Sequence, residues 1–258
     1  MSPSSNGSDV DGRAVLVTGG SRGIGRTIAA RFASAGATVL ACSRRAPDAP
    51  VAGVEHISGD VREPDFVATL IDDAVRRFGR LDVVVNNAGG GPSVPAAEAS
   101  PNLVTSVVRL NLLAPFFVAQ AANAVMQKQS DGGLIINIGS VPATEPVPGT
   151  AAYAASKAGL SVLTRALAVE WAPLVRVVEV MAGLVRTDEN EHHYGDEETL
   201  AAVAATVPLG RMATPDDIAD ACLLLCSPLA RYLTGATLRV DGGGQLPAFT
   251  TVTRPDPR

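Results

Sequence analysis

A chain of 258 residues, 47% hydrophobic and 18% charged, suits one α/β domain with a large buried core better than two small ones. Lys and Arg number 21 against 26 Asp and Glu, a formal charge of -5, which gives a nucleic-acid or anionic-membrane partner no compositional support. No basic start precedes an apolar run, and no segment approaches the uninterrupted apolar length of a membrane span, so a cytoplasmic protein with no membrane partner is expected.

Apolar, β-rich runs alternate with longer helix-period runs, the pattern of a parallel sheet covered by helices on both faces. The first strand is read at Ala14 to Val17, followed by a glycine turn and a helix from about Ile24 that Gly36 closes. Strands follow at Val39 to Cys42 and about Val54 to Ser58. A helix then runs from about Pro64 to Phe78, with proline in its first turn and Gly79 past its end.

Leu81 to Asn86 makes strand four, and a long helical tract spans roughly Asn102 to Gln127. Leu134 to Ile138 is strand five, after the Asp131-Gly132-Gly133 turn, and the next helix covers about Thr150 to Trp171. Strand six is Val175 to Val180. The pattern then breaks over Gly183 to Ala213, a length that marks a lid or binding segment, placed at about 184–213. Thr214-Pro215-Asp216-Asp217 begins a capped helix, and Thr237 to Val240 is the last strand. The expected domain is 12–246, with loose polar tails at 1–11 and 247–258. Three cysteines cannot build a disulfide framework; Cys222 and Cys226, one helical turn apart in an apolar stretch, read as packed thiols.

Where strand one turns into its helix stands Thr18-Gly19-Gly20-Ser21-Arg22-Gly23-Ile24-Gly25. Glycines allow a tight turn and a close approach of backbone to a pyrophosphate, and the helix N-terminus offers unpaired N–H groups and a positive dipole end. Gly19, Ser21, Arg22, Gly23, Ile24 and Gly25 are therefore candidate dinucleotide contacts. The end of strand two decides which dinucleotide, because NAD enzymes often place an acid there against the ribose hydroxyls. This chain has Ser43, Arg44 and Arg45, with no acid before Asp48. A hydroxyl and guanidinium groups suit an adenosine 2′-phosphate, each charge-assisted bond being worth roughly 1.5–3 kcal/mol, so NADP(H) is expected over NAD(H).

Ser140, at the end of strand five, lies thirteen residues before Tyr153, and Lys157 follows Tyr153 by one helical turn. A phenol of pKa near 10 needs some 4 kcal/mol of preferential phenolate stabilisation to reach about 7, and a neighbouring ammonium is expected to provide it. At i and i+4, Tyr153 and Lys157 share one helix face, and Ser140 stands where it can hold a substrate oxygen.

Taken with Asp60-Val61, Asn86-Asn87-Ala88-Gly89, Asn111 and Gly183-xxx-Thr187, these motifs resemble those of the short-chain dehydrogenase/reductase family, in its compact single-domain branch, over about residues 10–246. The resemblance implies a Rossmann-type doubly wound parallel sheet of about seven strands. It also implies hydride transfer between a nicotinamide and a ketone or secondary alcohol, in the style of 3-oxoacyl-thioester reductases. By the same resemblance Tyr153 is the general acid/base and Ser140 its carbonyl-orienting partner, while Lys157 lowers the tyrosine pKa and binds the nicotinamide ribose. Asn111 is similar to an asparagine that holds a water joining Lys157 to a proton relay; Asp60 and Val61 resemble adenine contacts; Asn87, Ala88 and Gly89 line the ribose side; Gly183, Val185 and Thr187 stand where the carboxamide is fixed.

The chain departs from the family pattern after strand six. Ala182 stands where a proline is usual, and an asparagine often found earlier in that strand is replaced by Val178 or Glu179. Without proline's fixed φ, a less rigid loop entry is expected. His192 and His193 lie among Glu189, Glu191 and Asp196, but ligands adjoining one another on a lid do not make a metal set, and no metal is expected. Glu145 reads as a surface carboxylate. An alternative to the enzyme is a catalytically silent NADP(H)-binding regulator of the same fold. The same resemblance implies a homotetramer, with a dimer as the alternative: the long helices after strands four and five would form one interface, to which the apolar outer faces of Asn111 to Met126 and Ala158 to Trp171 lend support, and the segment from Tyr232 through Val240 would by analogy form the second.

Overall fold

The inner strands are apolar at nearly every position, as strands buried on both faces must be. The computed structural model describes residues 9–145, 147–187 and 196–247. Among these, β1 (Ala14–Thr18), β2 (Thr38–Ser43), β3 (Val54–Ser58), β4 (Val83–Asn86), β5 (Gly133–Ser140), β6 (Val175–Ala182) and β7 (Thr237–Val240) form one parallel sheet in the order β3-β2-β1-β4-β5-β6-β7. Reversal of strand order beside β1 leaves a crevice at the carboxyl ends of β1 and β4, where ligands of open α/β sheets bind.

Side chains alternate strictly between two cores. Val15, Val17, Val39, Ala41, Val83, Val85, Ile136 and Val178 face α1 (Gly23–Ser34) and the helix Pro215–Cys226. Leu16, Leu40, Val84, Ile135 and Val177 face the opposite layer, built from α2 (Pro64–Phe78), α3 (Pro101–Val108), α4 (Ala114–Met126) and α5 (Ala151–Trp171). One helical tract runs from Pro101 to Met126, with a π-helical turn at Arg109–Leu113 between α3 and α4. The tract is long and apolar enough, by length and composition, to cross a membrane, contrary to the expectation from sequence; within the fold, Val107, Ala114, Val118, Ala119, Ala122 and Met126 are buried, which accounts for that composition.

Two boundaries differ from the sequence reading. Gly183 to Ala213, expected to lack regular structure, contains α6 (Glu197–Ala205). Asp196 caps it by accepting from Thr199 N at 2.9 Å, and Glu197 and Glu198 lie at the positive end of its dipole, but of its residues Leu200 alone is buried, so no apolar stripe announced it. Val10, assigned to a loose tail, is 1% exposed and packs against the core, so order begins before residue 12. At the other end, Leu246 N donates to Thr206 O at 2.7 Å, and residues 248–258 lie outside the described ones. The expected cap of α7 (Pro215–Cys226) is present as a reciprocal capping box between Thr214 and Asp217. Cys42, Cys222 and Cys226 are free, buried thiols, pushed up by burial.

Candidate active site

The glycine turn is held by its neighbours. Gly19 has φ +69°, and a Cβ there would stand 2.9 Å from Ala88 Cα, so only glycine fits. Thr18 Oγ1 accepts from Asn87 N and Ala88 N, each at 3.0 Å, while Asn87 Nδ2 donates to Thr18 O at 2.9 Å and Gly19 O at 3.3 Å. Those bonds lock the loop after β4 to the loop after β1. Thr18 was not among the expected site residues; a threonine at a strand end carries no signal of this bridging until the strand order is known. A Cβ on Gly25 would overlap both Gly19 O and Asn87 Nδ2, so α1 starts tight against the turn.

A cleft of about 690 Å³ opens over this edge of the sheet. Gly19, Ser21, Arg22, Gly23, Ile24, Gly25, Ser43, Arg44, Asp60, Val61, Asn87, Ala88, Gly89, Ser140, Tyr153, Lys157, Gly183, Val185 and Thr187 all line it, so every expected site residue except Asn111 borders one space. Among the described residues α1 begins with no side-chain cap and no acid in its first turn. First-turn N–H groups over a glycine cradle form a donor set that fits a pyrophosphate.

At the far end of the cleft the arrangement differs in detail from expectation. Ser43 Oγ donates to Arg45 O at 2.6 Å, and with its only hydrogen so used it accepts from His56 Nε2 at 2.7 Å. Its hydroxyl is thus committed within the protein, and the exposed Arg44 and Arg45 are the polar groups left to face a phosphate. His56, on β3, was not foreseen; burial holds its imidazole below the usual range. Asp60 is clamped by Arg62, whose hydrogen bonds, with a contribution from Arg44, keep the carboxyl below its ordinary value.

The catalytic candidates converge where the cleft is deepest. Tyr153 and Ser140 both border this space, and Lys157 Nζ lies 5.8 Å from the centroid of the Tyr153 ring. Lys157 is 3% exposed and donates to Ile138 O at 2.7 Å. Burial lowers its pKa to about 8, opposed by the charge of Glu179. Tyr153 goes against the expectation of a lowered phenol: burial raises its pKa, and the neighbouring Ser140 hydroxyl only offsets part of that. Lys157 has no part in that balance, and its amine donates to the Ile138 carbonyl.

Asn111, fully buried in the π-helical turn, accepts from Gly90 N at 2.8 Å and donates to Gly90 O and Val107 O at 2.9 Å. A Cβ on Gly89 would stand 2.9 Å from Asn111 Oδ1 and 3.2 Å from Lys157 Nζ, so both side chains meet at that glycine. Beyond Ala182 the loop is fixed by backbone bonds rather than by a proline: Gly183 N donates to Val240 O at 3.0 Å and Ala213 N to Leu184 O at 2.8 Å. A second pocket, of about 270 Å³, adjoins Tyr153 and is walled by Pro92, Val94, Leu103, Val104, Val107 and Gly149 among others. The α3 wall has no signature in the sequence, since helix and loop come together only in the fold. Glu145 is a surface carboxylate, as expected, paired with Arg239 at 2.7 Å. His192 and His193 lie outside the described residues; among those described, no group of three or more His, Cys, Asp or Glu is placed to hold a metal.

A family model described as enoyl-(acyl carrier protein) reductase matches residues 19–245. The chain is 36% identical over 253 residues to 3beta-hydroxysteroid dehydrogenase 1 of Eggerthella lenta, covering 93% of this chain and 97% of that one. It is also 36% identical over 245 residues to the L-rhamnose 1-dehydrogenase (NAD(P)(+)) of Azotobacter vinelandii, covering 90% and 96%. The ligand-free structure of Thermoplasma acidophilum aldohexose dehydrogenase superposes with a TM-score of 0.86, at 30% identity over 98% of this chain and 99% of that one. The chain belongs to the short-chain dehydrogenase/reductase family and is an NAD(P)-dependent oxidoreductase.

Proposed function

We propose that the enzyme is an NADP(H)-dependent ketone reductase and secondary-alcohol dehydrogenase whose substrate has an apolar body, with Tyr153 as the group that exchanges the proton. The observation that carries this reading is the position of Tyr153 at the junction of two spaces, the long polar cleft and the apolar pocket. When bound, a nicotinamide supplies or accepts the hydride. Gly19, Gly23, Gly25 and the first turn of α1 hold the pyrophosphate of that cofactor, and Lys157 the ribose beside the nicotinamide. Ser140 holds the substrate oxygen next to the phenol, and Tyr153 delivers its proton to that oxygen as the carbonyl carbon is reduced. A phenol raised by burial is fully protonated at neutral pH, the form that reduction requires. Asn111 fixes the Gly89-Gly90 backbone against Lys157.

The walls of the second pocket come from valine, leucine, alanine and proline side chains, a surface that favours a cyclic or aryl ketone over a sugar. NADPH oxidation across apolar ketones, steroids, 3-oxoacyl thioesters and sugars tests this, with the highest kcat/KM expected for the apolar ketones. Turnover confined to sugars overturns the substrate class, and tight NADPH binding without turnover of any of them supports the silent regulator instead.

Arg44 and Arg45 support the cofactor choice. The ratio of kcat/KM for NADPH over NADH is expected to exceed about tenfold, and Arg44→Ala to lower it by about tenfold, the value of one charge-assisted hydrogen bond. A parent enzyme that prefers NADH refutes the assignment. Val162, Val169, Leu229 and Tyr232 are exposed, Tyr232 at 98%, and are the groups that the proposed homotetramer would cover.

A further inference from the structure

Glu179 is a fully buried carboxylate that the reading above does not use. It belongs to a polar row that crosses the sheet in register: Asn86 on β4 pairs with Asn137 on β5, Asn137 with Glu179 on β6, and Glu179 with Thr237 on β7. Asn86 Nδ2 donates to Asn137 Oδ1 at 2.9 Å, and Asn137 Nδ2 to Thr164 Oγ1 at 2.8 Å, so that half of the row is amide and hydroxyl. The other half is charged. Ser161 on α5 donates to Glu179 Oε1, and Thr237 to Oε2, each at 2.7 Å.

Two hydroxyl bonds orient the carboxylate, but hydroxyls can serve a neutral amide just as well, so they do not explain why a charge is kept there. Its position does. A Cβ on Gly139 would overlap Glu179 Oε1, so the carboxylate presses on the backbone next to Ile138, the residue whose carbonyl holds Lys157 Nζ. Ser161, which grips the carboxylate, is one turn along α5 from Lys157. We propose that Glu179 is a positioning residue of the active site, a buried counter-charge that keeps the Lys157 side chain an ammonium beside Tyr153.

The groups facing Lys157 from each neighbouring element leave this task to Glu179. From α5 itself comes the Tyr153 phenol; β5 presents the Ile138 carbonyl and Ser140; the π-helical turn and the loop after β4 present Asn111 and Gly89. Each of these is neutral at pH 7 in the state described, whereas β6 contributes the Glu179 carboxylate. Burial drives the lysine toward the amine, and the Glu179 charge opposes it. Around Glu179, β5 places Asn137 and Gly139, β7 places Thr237, and α5 places Ser161 and Lys157, so the lysine is its cationic neighbour among the described residues.

The inference rests on the proposed role of Lys157, and the test separates the two. In Glu179→Gln the shape and the hydroxyl bonds are retained while the charge goes. The pH above which kcat/KM declines is expected to fall by about one unit or more relative to wild type. The pH above which cofactor affinity declines, read by fluorescence titration without turnover, is expected to fall with it. Glu179→Asp, which keeps a carboxylate, restores both limbs toward wild type. Ser161→Ala, which removes one donor to the carboxylate, moves them the same way by less and serves if Glu179→Gln does not fold. Unmoved limbs in Glu179→Gln, or in Ser161→Ala should that variant have to decide, overturn the proposal, even if melting temperature drops. Full activity in Lys157→Met overturns the reading of Lys157 and this inference with it.

Discussion

Replacing Tyr153 by phenylalanine is expected to lower kcat by at least about 10²-fold while NADPH affinity stays within a few-fold of wild type. The phenol oxygen is the group at the meeting of cleft and pocket that has both a proton to give and a partner, Ser140, to aim it. Phenylalanine keeps the ring against Lys157 and the pocket wall, so packing is little changed and the loss reports the proton alone. Direction matters as well. Because burial raises the phenol, carbonyl reduction should be fastest where the phenol is protonated, and alcohol oxidation should climb as pH rises toward its ionisation. Steady-state rates in both directions between pH 6 and 10, with cofactor titrations alongside, check each statement; near-normal turnover in Tyr153→Phe refutes the mechanism.

Lys157→Met is expected to cut kcat/KM by about 10²-fold or more, since the variant loses the cation 5.8 Å from the centre of the Tyr153 ring. It should weaken cofactor binding too, and a purely kinetic defect would mean that the ribose contact is wrong. Its stability should move the other way with pH. A lysine whose pKa falls from 10.5 when unfolded to about 8 when folded binds its proton more weakly in the native state. Wild-type stability therefore rises with pH through that window and is lower below it, by roughly 3 kcal/mol for this group alone. Methionine removes that slope, although the Ile138 carbonyl left without its donor costs about 1–3 kcal/mol in return. Urea unfolding at pH 7.5 and 9.5 reads the difference, and equal slopes in the two proteins would contradict the buried ammonium.

What the sequence disclosed, and what it withheld, divides along the range of the interactions. Local signals were sufficient for the seven strands, for the Thr214 cap and for the Tyr153-xxx-Lys157 pair, because an apolar β-rich run, a capping motif or a helical spacing is contained in a few residues. The glycine turn was equally plain. The α6 helix was obscure because Glu197 to Ala205 is solvent-facing except at Leu200, and its acids resembled lid residues when they are in fact first-turn partners of the dipole. Thr18, His56 and the α3 wall of the pocket act on residues distant in sequence, and only the strand order brings them into place. Ser43 was read as a phosphate ligand from its place at the end of strand two, whereas a carbonyl two residues away and a histidine from β3 claim its hydroxyl. The tyrosine pKa was assigned from spacing, which fixes which side of the helix a lysine occupies but not where its amine points.

The polar row beneath α5 also bears on how the chain finds its fold. Apolar strands have little to tell one alignment from the next, since a slide along a neighbour exchanges valine for valine. Asn137, Glu179 and Thr237 remove that degeneracy, because a single-residue slip of β6 would turn Glu179 toward Ile218 and Cys222, into a layer walled by apolar side chains. An unpaired carboxylate there would cost several kcal/mol, or take up a proton to avoid it. Misaligned sheets are thus disfavoured before any ligand arrives, and the strand that carries Ala182 and Gly183 to the cleft is delivered at one height. A uniformly apolar substitute for this row, such as Glu179→Leu with Thr237→Val, is expected to be the poorer folder even where its stability equals the native protein's, yielding a mixture of alignments visible as broadened amide resonances.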